Sequence, residues 1–77
     1  MIPSEKVLIA IAGSFLTRAF NLKYCHVEKV YTLDLEEHSF VVSVFLIYKS
    51  GISENIRLKL WFRRNQGRYI AYKYSHI

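Results

Sequence analysis

The sequence contains one cysteine, one proline and three glycines in 77 residues. A single thiol cannot close a disulfide within the chain, so Cys25 is expected to be a small buried hydrophobic residue. The scarcity of proline and glycine leaves no linker or low-complexity tract, and the length suits one domain. A chain this short buries only a modest core, so self-association or a partner would add much to its stability.

Long apolar runs are also absent. The longest uncharged apolar run, residues 7–16, has ten residues, whereas a helix needs ~20 to span a membrane. The run has the length of a signal-peptide core, but Glu5 and Lys6 precede it and no small-residue cleavage site follows. We therefore interpret it as a core helix and expect no membrane span. The initial Met1, the lone cysteine and the lack of a targeting segment favour the cytoplasm.

No residues form a recognisable metal, cofactor or catalytic motif. The three histidines, His26, His38 and His76, are not spaced like the ligands of a zinc site. A nuclease-like site could draw on Lys59, Arg63 and Tyr69, but no general base accompanies them. We therefore expect no bound metal or cofactor and no enzymatic activity.

Basic charge is concentrated in the C-terminal third of the chain. Residues 1–23 carry a net charge of +2, residues 24–54 carry −3 and residues 55–77 carry +6. Such a distribution favours an acidic partner, whether nucleic acid, an acidic protein surface or anionic lipid. The hydrophobic content of 52%, including 16% aromatic residues, excludes a disordered chain.

The N-terminal segment predicts one helix over about residues 4–20. Ser4 is a favourable N-cap, and Glu5 suits the positive end of the helix dipole. Beside the broad apolar face runs a strip of small residues: Ala10, Gly13, Ser14 and Thr17. Glycine costs about 0.8–1 kcal/mol relative to alanine inside a helix, so Gly13 suggests that another element packs closely against this strip.

The remaining sequence predicts four strands, over about residues 24–36, 39–49, 56–64 and 68–75. Polar and apolar residues alternate clearly in the first and third, although Lys29 and Val30 interrupt the first. The second is apolar on both faces, which is typical of a central strand. Asn65, Gln66 and Gly67 have the form of a three-residue hairpin loop with glycine in the left-handed conformation.

These elements predict an α+β fold, with the N-terminal helix packed on a four-stranded antiparallel meander sheet (α-β-β-β-β), because short connections favour hairpins between consecutive strands. The expected opposing pairs are Leu33 with Val42, Val44 with Leu60, and Phe62 with Ile70. The predicted inner face, under the helix, consists of Val27, Tyr31, Leu33, Leu35, Phe40, Val42, Val44, Leu46, Tyr48, Ile56, Leu58, Leu60, Phe62, Ile70, Tyr72 and Tyr74.

The opposite face of the sheet is expected to carry an apolar patch bordered by cations. The predicted patch consists of Val30, Val41, Phe45, Ile47, Trp61, Tyr69 and Ala71. Its basic border consists of Arg57, Lys59, Arg63 and Lys73. A patch of this kind is larger than a soluble monomer usually leaves exposed.

Three hypotheses account for this patch. In the leading one it is an interface for homodimerisation or a protein partner, because Trp, Tyr, Phe and Arg are enriched in interface cores. In the second it binds single-stranded nucleic acid by base stacking and phosphate contacts. The residues for that role are Arg57, Lys59, Trp61, Arg63, Arg64, Arg68, Tyr69 and Lys73. In the third, part of the patch is covered by the chain itself.

Overall fold

The structure, a computed structural model, describes residues 2–77. It contains one helix, α1 (Glu5–Ala19), followed by four strands: β1 (Leu22–Asp34), β2 (Ser39–Tyr48), β3 (Ser53–Asn65) and β4 (Arg68–His76). The strands form one antiparallel sheet in the order β1-β2-β3-β4. The predicted fold class, one N-terminal helix with a four-stranded antiparallel meander, is confirmed.

Local signals at both ends of α1 explain its length. Ser4 is the N-cap residue and is extended (φ −63°, ψ 162°); its carbonyl accepts the first helical hydrogen bond from the Leu8 N–H at 3.0 Å, although its side chain makes no capping hydrogen bond. At the other end Asn21 adopts the left-handed conformation (φ 54°), which asparagine tolerates better than most residues. Between these ends, Leu8, Ala12 and Leu16 are buried at four-residue spacing and face the sheet.

The core lies between α1 and the inner face of the sheet. Val42, Val44, Leu46, Leu58 and Leu60 are each 0% exposed. An aromatic cluster extends this core at the β1–β2 turn end: the Phe62 ring meets Phe40 edge-on at 5.3 Å and stacks on Tyr69 at 5.7 Å.

Gly13 lies against β1 without being required there. A Cβ atom at Gly13 would lie 3.7 Å from Val27 Cγ2, which is ordinary van der Waals contact. The expected close approach at the small-residue strip therefore does occur, but it leaves room for alanine.

The β3–β4 turn differs from the prediction by one residue. Gln66 (φ 53°) and Gly67 (φ 77°) both have positive φ, and Asn65 pairs with Arg68. This is a two-residue type I′ turn, whose twist matches that of the flanking strands. Phe62 consequently opposes Ala71 instead of Ile70, and a one-residue slip turns every following side chain to the other face.

A second irregularity, in β4, partly reverses that change. Trp61 opposes Lys73 while the adjacent Phe62 opposes Ala71, so Tyr72 is an extra residue without a direct partner. This β-bulge keeps Lys73 on the side of Trp61 and returns Tyr74 to the helix side, where its ring contacts Phe20 at 4.9 Å.

A bulge in β1 makes the first predicted register wrong. The pairing shifts between Val27 and Lys29, so Val30, rather than Leu33, opposes Val42. The extra residue is Glu28, and beyond it the two faces of β1 exchange. Tyr31, which was predicted to face inward, is therefore 45% exposed. Leu33, the extra residue of a further register shift, and Leu35, which follows the end of β1, were also predicted to face inward and are 51% and 58% exposed.

The second predicted register is also wrong, and the error moves Trp61 from a position opposite Ser43 to one opposite Ser39 without changing its face. Val44 opposes Ile56 rather than Leu60. A shift of four residues is an even number, so every side chain of β2 and β3 stays on its predicted face.

Candidate interaction face

The surface of the sheet opposite α1, called the outer face below, follows from the strand pairing. Side chains alternate along each strand, and directly opposed residues lie on the same face. By that rule, and apart from residues at the strand ends, the outer face carries Tyr24, His26, Lys29 and Tyr31 of β1; Val41, Ser43, Phe45 and Ile47 of β2; Asn55, Arg57, Lys59, Trp61 and Arg63 of β3; and Ile70, Lys73 and Ser75 of β4.

An apolar centre occupies the middle of this face. Val41, Phe45 and Ile47 lie along the central strand β2. Trp61 lies on β3 opposite Ser39, diagonal to Val41 and six residues along the strand from the partner of Phe45, which is about 20 Å. All four are only partly buried, since α1 packs on the other side of the sheet. These four residues, called the apolar centre below, are where the sequence analysis placed them.

Two tyrosines that the predicted patch did not include border the apolar centre. Tyr24 opposes Ile47 and is 53% exposed, and Tyr31 opposes Val41 and is 45% exposed. Tyr31 was predicted to lie under the helix. The signal that marks the change is the break in alternation at Lys29 and Val30, since a β-bulge produces such a break.

Cations lie against the aromatic rings of the outer face. The Lys59 and Lys73 ammonium groups lie 4.3 Å and 4.4 Å from the centre of the Trp61 ring. The Lys29 ammonium lies 5.3 Å from the Tyr31 ring, and the Arg63 guanidinium carbon lies 4.9 Å from the ring of the bulged Tyr72. Each such pair contributes about 0.5–1 kcal/mol at an exposed site, so these contacts hold the cations in place around the apolar centre.

Carboxylates neutralise little of this charge. Glu37 pairs with Lys59 at 3.4 Å, and Glu28 accepts from Asn55 at 3.1 Å in the amide orientation that satisfies both groups. Within residues 2–77 no carboxylate forms a salt bridge with the four other outward cations: Lys29, Arg57, Arg63 and Lys73. The outer face is therefore a cationic ring around an apolar centre.

A depression of about 360 Å³ opens on this face beside the apolar centre. It is lined by the Tyr31 ring, the Val41 side chain and Arg57. An aromatic ring, an aliphatic floor and a guanidinium together suit a side chain or a base that has both a flat apolar surface and an acceptor of hydrogen bonds.

No protein-family model, curated protein or solved structure matches this chain.

Three residues predicted for the outer patch lie on the inner face instead. Val30, Tyr69 and Ala71 are each 9% exposed and belong to the core. The β1 bulge moves Val30, and the two-residue β3–β4 turn moves Tyr69 and Ala71. For these residues the third hypothesis is correct, because the chain itself covers them.

The basic residues predicted for nucleic-acid contacts are also divided by the fold. Arg57, Lys59, Arg63 and Lys73 share the outer face with Trp61, whereas Arg64 opposes the inward Tyr69. The Arg64 guanidinium carbon lies 5.7 Å from the Tyr69 ring. Arg68 opposes Asn65 at the β3–β4 turn and also borders a groove between α1 and β4.

Tyr69 is held in the core by a polar contact. Its hydroxyl lies 2.5 Å from His38 Nδ1 in the β1–β2 turn. Burial raises the pKa of Tyr69, although the positive charge of Arg64 opposes that effect. The phenol therefore stays protonated at neutral pH and joins the β1–β2 turn to the last hairpin.

Other chemistry is limited in the part of the chain that the structure describes. Burial raises the pKa of the Cys25 thiol, which disfavours the nucleophilic thiolate. No group of three or more His, Cys, Asp or Glu side chains within residues 2–77 is arranged to hold a metal ion. Across the same residues, no helix has the length and apolar character needed to cross a membrane.

Proposed function

We propose that this chain is a small non-enzymatic interaction module whose outer face docks onto an acidic protein surface. The observation that carries the proposal is the apolar centre on the middle strands, bordered by cations of which, among residues 2–77, only Lys59 pairs with a carboxylate. Protein interfaces have this anatomy, with an apolar, aromatic core that is desolvated on binding and a polar rim that stays hydrated.

The composition of the apolar centre favours a protein over other acidic partners. Val41 and Ile47 are β-branched aliphatic residues that gain from burial against another protein but offer no surface for base stacking. Phe45 and Trp61 provide the large rings that most often dominate binding energy.

The charge distribution distinguishes between two kinds of protein partner. In a symmetric dimer with the outer faces together, the cations Arg57, Arg63 and Lys73 of one copy would face the cationic ring of the other, and opposed like charges are unfavourable. An acidic partner would instead pair with the same residues. We therefore favour a partner of different sequence, with homodimerisation as the alternative outcome of the experiment below.

Phe45→Glu is expected to abolish the partner complex, because it places a carboxylate at the desolvated middle of the interface. Arg63→Ala is expected to weaken the complex only slightly, since rim cations contribute little affinity. Affinity capture from extracts of the source cells detects the partner complex, and sedimentation at micromolar concentration detects self-association. Urea unfolding of each variant separates lost binding from lost folding.

A Phe45→Glu variant that folds, keeps its partner and keeps the oligomeric state of the unmodified chain would contradict the proposal. Loss of a dimer, with no other protein in the complex, would instead identify a second copy as the partner.

Single-stranded nucleic acid is a second candidate for the same face. The depression lined by Tyr31, Val41 and Arg57 favours it, because a base could stack on the ring while the guanidinium contacts a phosphate. The cations that would track the backbone on this face are Arg57, Lys59, Arg63 and Lys73.

Binding of a fluorescein-labelled oligothymidine, followed by anisotropy, tests this candidate. If the four outward cations of β3 and β4 each neutralise one phosphate, affinity should fall roughly fifty-fold as salt rises from about 50 to about 200 mM. Trp61→Ala should weaken binding further by removing a stacking surface. Absence of binding at the lower salt concentration would exclude this function.

A further inference from the structure

A groove of about 300 Å³ runs between helix α1 and the edge strand β4, on a part of the molecule distinct from the outer-face apolar centre. Four consecutive strand residues form one wall: Arg68, Tyr69, Ile70 and Ala71. The helix contributes the other wall: Ala10, Ile11, Ser14, Phe15 and Arg18.

The strand wall presents unpaired backbone groups. β4 is the last strand in the sheet order, so within residues 2–77 it has a neighbour on one side only. Asn65 and Arg68 close the two-residue hairpin, and in an antiparallel ladder alternate residues bond to the partner strand. Arg68 and Ile70 therefore bond to β3, whereas Tyr69 and Ala71 direct their N–H and C=O groups away from it.

The helix wall leaves room beside that edge. Ala10 and Ser14 are small, exposed and one turn apart, and Ile11 and Phe15 are half-buried next to them. Arg18 is one turn further along, and its guanidinium donates to Ser14 Oγ at 2.7 Å. An exposed strand edge beside a partly apolar helix is the arrangement by which a sheet accepts an added strand.

The charges of the groove indicate which strand would fit. Arg18 and Arg68 border it, and no Asp or Glu is among the described residues that line it. A second copy of β4 would bring its own Arg68 and Lys73 to the same edge, where like charges repel.

We propose that the α1–β4 groove binds an extended acidic segment of another protein, which adds to the free edge of β4 as a fifth strand. The backbone of Tyr69 and Ala71 supplies the hydrogen bonds, Arg18 and Arg68 pair with carboxylates, and Ile11 and Phe15 receive an apolar side chain. This site is separate from the outer face and does not depend on the function proposed for that face.

The test uses the full chain and a fluorescein-labelled octapeptide of alternating glutamate and valine with blocked ends, followed by anisotropy. An added strand pairs through alternate residues only. Methylating the amide nitrogens of all glutamates, or of all valines, should therefore weaken binding ten-fold or more in one of the two peptides and leave the other close to the unmodified one. A peptide with lysine in place of glutamate should also bind at least ten-fold more weakly.

Protein variants locate the peptide. Ser14→Phe should fill the groove and weaken binding ten-fold or more, and Arg18→Glu should do the same by reversing the charge. Lys6→Glu is the matched control, because it makes the same charge change on an exposed part of the helix outside the groove. Circular dichroism checks that each variant is folded.

Four results would overturn the proposal. In the first, the unmodified peptide does not bind. In the second, both methylated peptides bind as tightly as the unmodified peptide, which indicates charge attraction alone. In the third, a folded Ser14→Phe variant binds the unmodified peptide with unchanged affinity, which places the peptide outside the groove. In the fourth, the unmodified chain is a dimer that Ser14→Phe dissociates, which makes a second copy the occupant of the edge.

Discussion

Replacing Phe62 by alanine is expected to lower the free energy of unfolding by roughly 3–5 kcal/mol. Phe62 is 1% exposed and lies between the Phe40 and Tyr69 rings, so truncation leaves a cavity that rigid strands on both sides cannot close. A domain of this size has a total stability of about 4–12 kcal/mol at ~0.05–0.15 kcal/mol per residue. The variant should therefore lose a large share of the stability of the fold.

Urea unfolding followed by circular dichroism measures this change. Phe45→Ala is the matched control, because it removes the same ring from the outer face, where Phe45 is only partly buried. Its cost should be roughly 1–2 kcal/mol. If the two variants lose equal stability, Phe45 is as well packed as Phe62 and the outer face is not an open surface.

Val30→Asp is expected to lower the free energy of unfolding much more than Val41→Asp, although both valines were predicted to lie on the outer face. Val30 is 9% exposed and opposes the fully buried Val42 across the β1–β2 ladder. An unpaired carboxylate there should cost roughly 3 kcal/mol or more. At Val41 the new carboxylate would face solvent beside Arg57, which borders the same depression, so the cost should be about 1 kcal/mol or less.

The same urea measurement, made on both variants at neutral pH, checks this pair. Equal losses, or a larger loss at Val41, would mean that the β1 bulge at Glu28 is misplaced and that Val30 faces outward. The fully buried Leu60→Asp serves as a reference for the largest effect.

Much of the fold was predictable because its signals are local. The helix follows from Ser4, Glu5 and the four-residue spacing of Leu8, Ala12 and Leu16. The alternation from Ile56 to Phe62 identifies β3, and the two-sided apolar character of β2 marks it as a central strand. Each of these patterns depends on residues close together in the chain, so no knowledge of tertiary contacts is needed to interpret them.

The candidate site was only partly predictable. Val41, Phe45, Ile47 and Trp61 lie on the outer face as predicted, because they belong to β2 and β3, whose register error was an even number of residues. Residues of β1 and β4 changed faces, since each of those strands contains a bulge or follows a turn of unexpected length. Tyr31 thereby joined the outer face and Val30, Tyr69 and Ala71 left it, whereas Tyr24, which precedes the β1 bulge, was in neither predicted set.

The stretch from Ile56 to Tyr74 shows the same division within one hairpin. Its alternation determined which residues of β3 share a face, and the positive charge of the segment follows from composition alone. Whether Tyr69 or Ile70 faces the helix depended on a single residue in the turn, since Asn65-Gln66-Gly67 suits both a two-residue and a three-residue loop. The choice is made by packing across the whole sheet, because the two-residue turn places Tyr69 against Phe62 and beside His38.

The sequence by itself thus determined the elements of this protein, their order and the face to which each strand residue belongs relative to its near neighbours. Only the tertiary structure decided how the faces of adjacent strands match. Successive side chains of a strand point to opposite faces of the sheet, so one extra residue in a bulge or a turn exchanges the buried residues with the exposed ones. The energy that selects between the two arrangements comes from contacts between residues far apart in the chain.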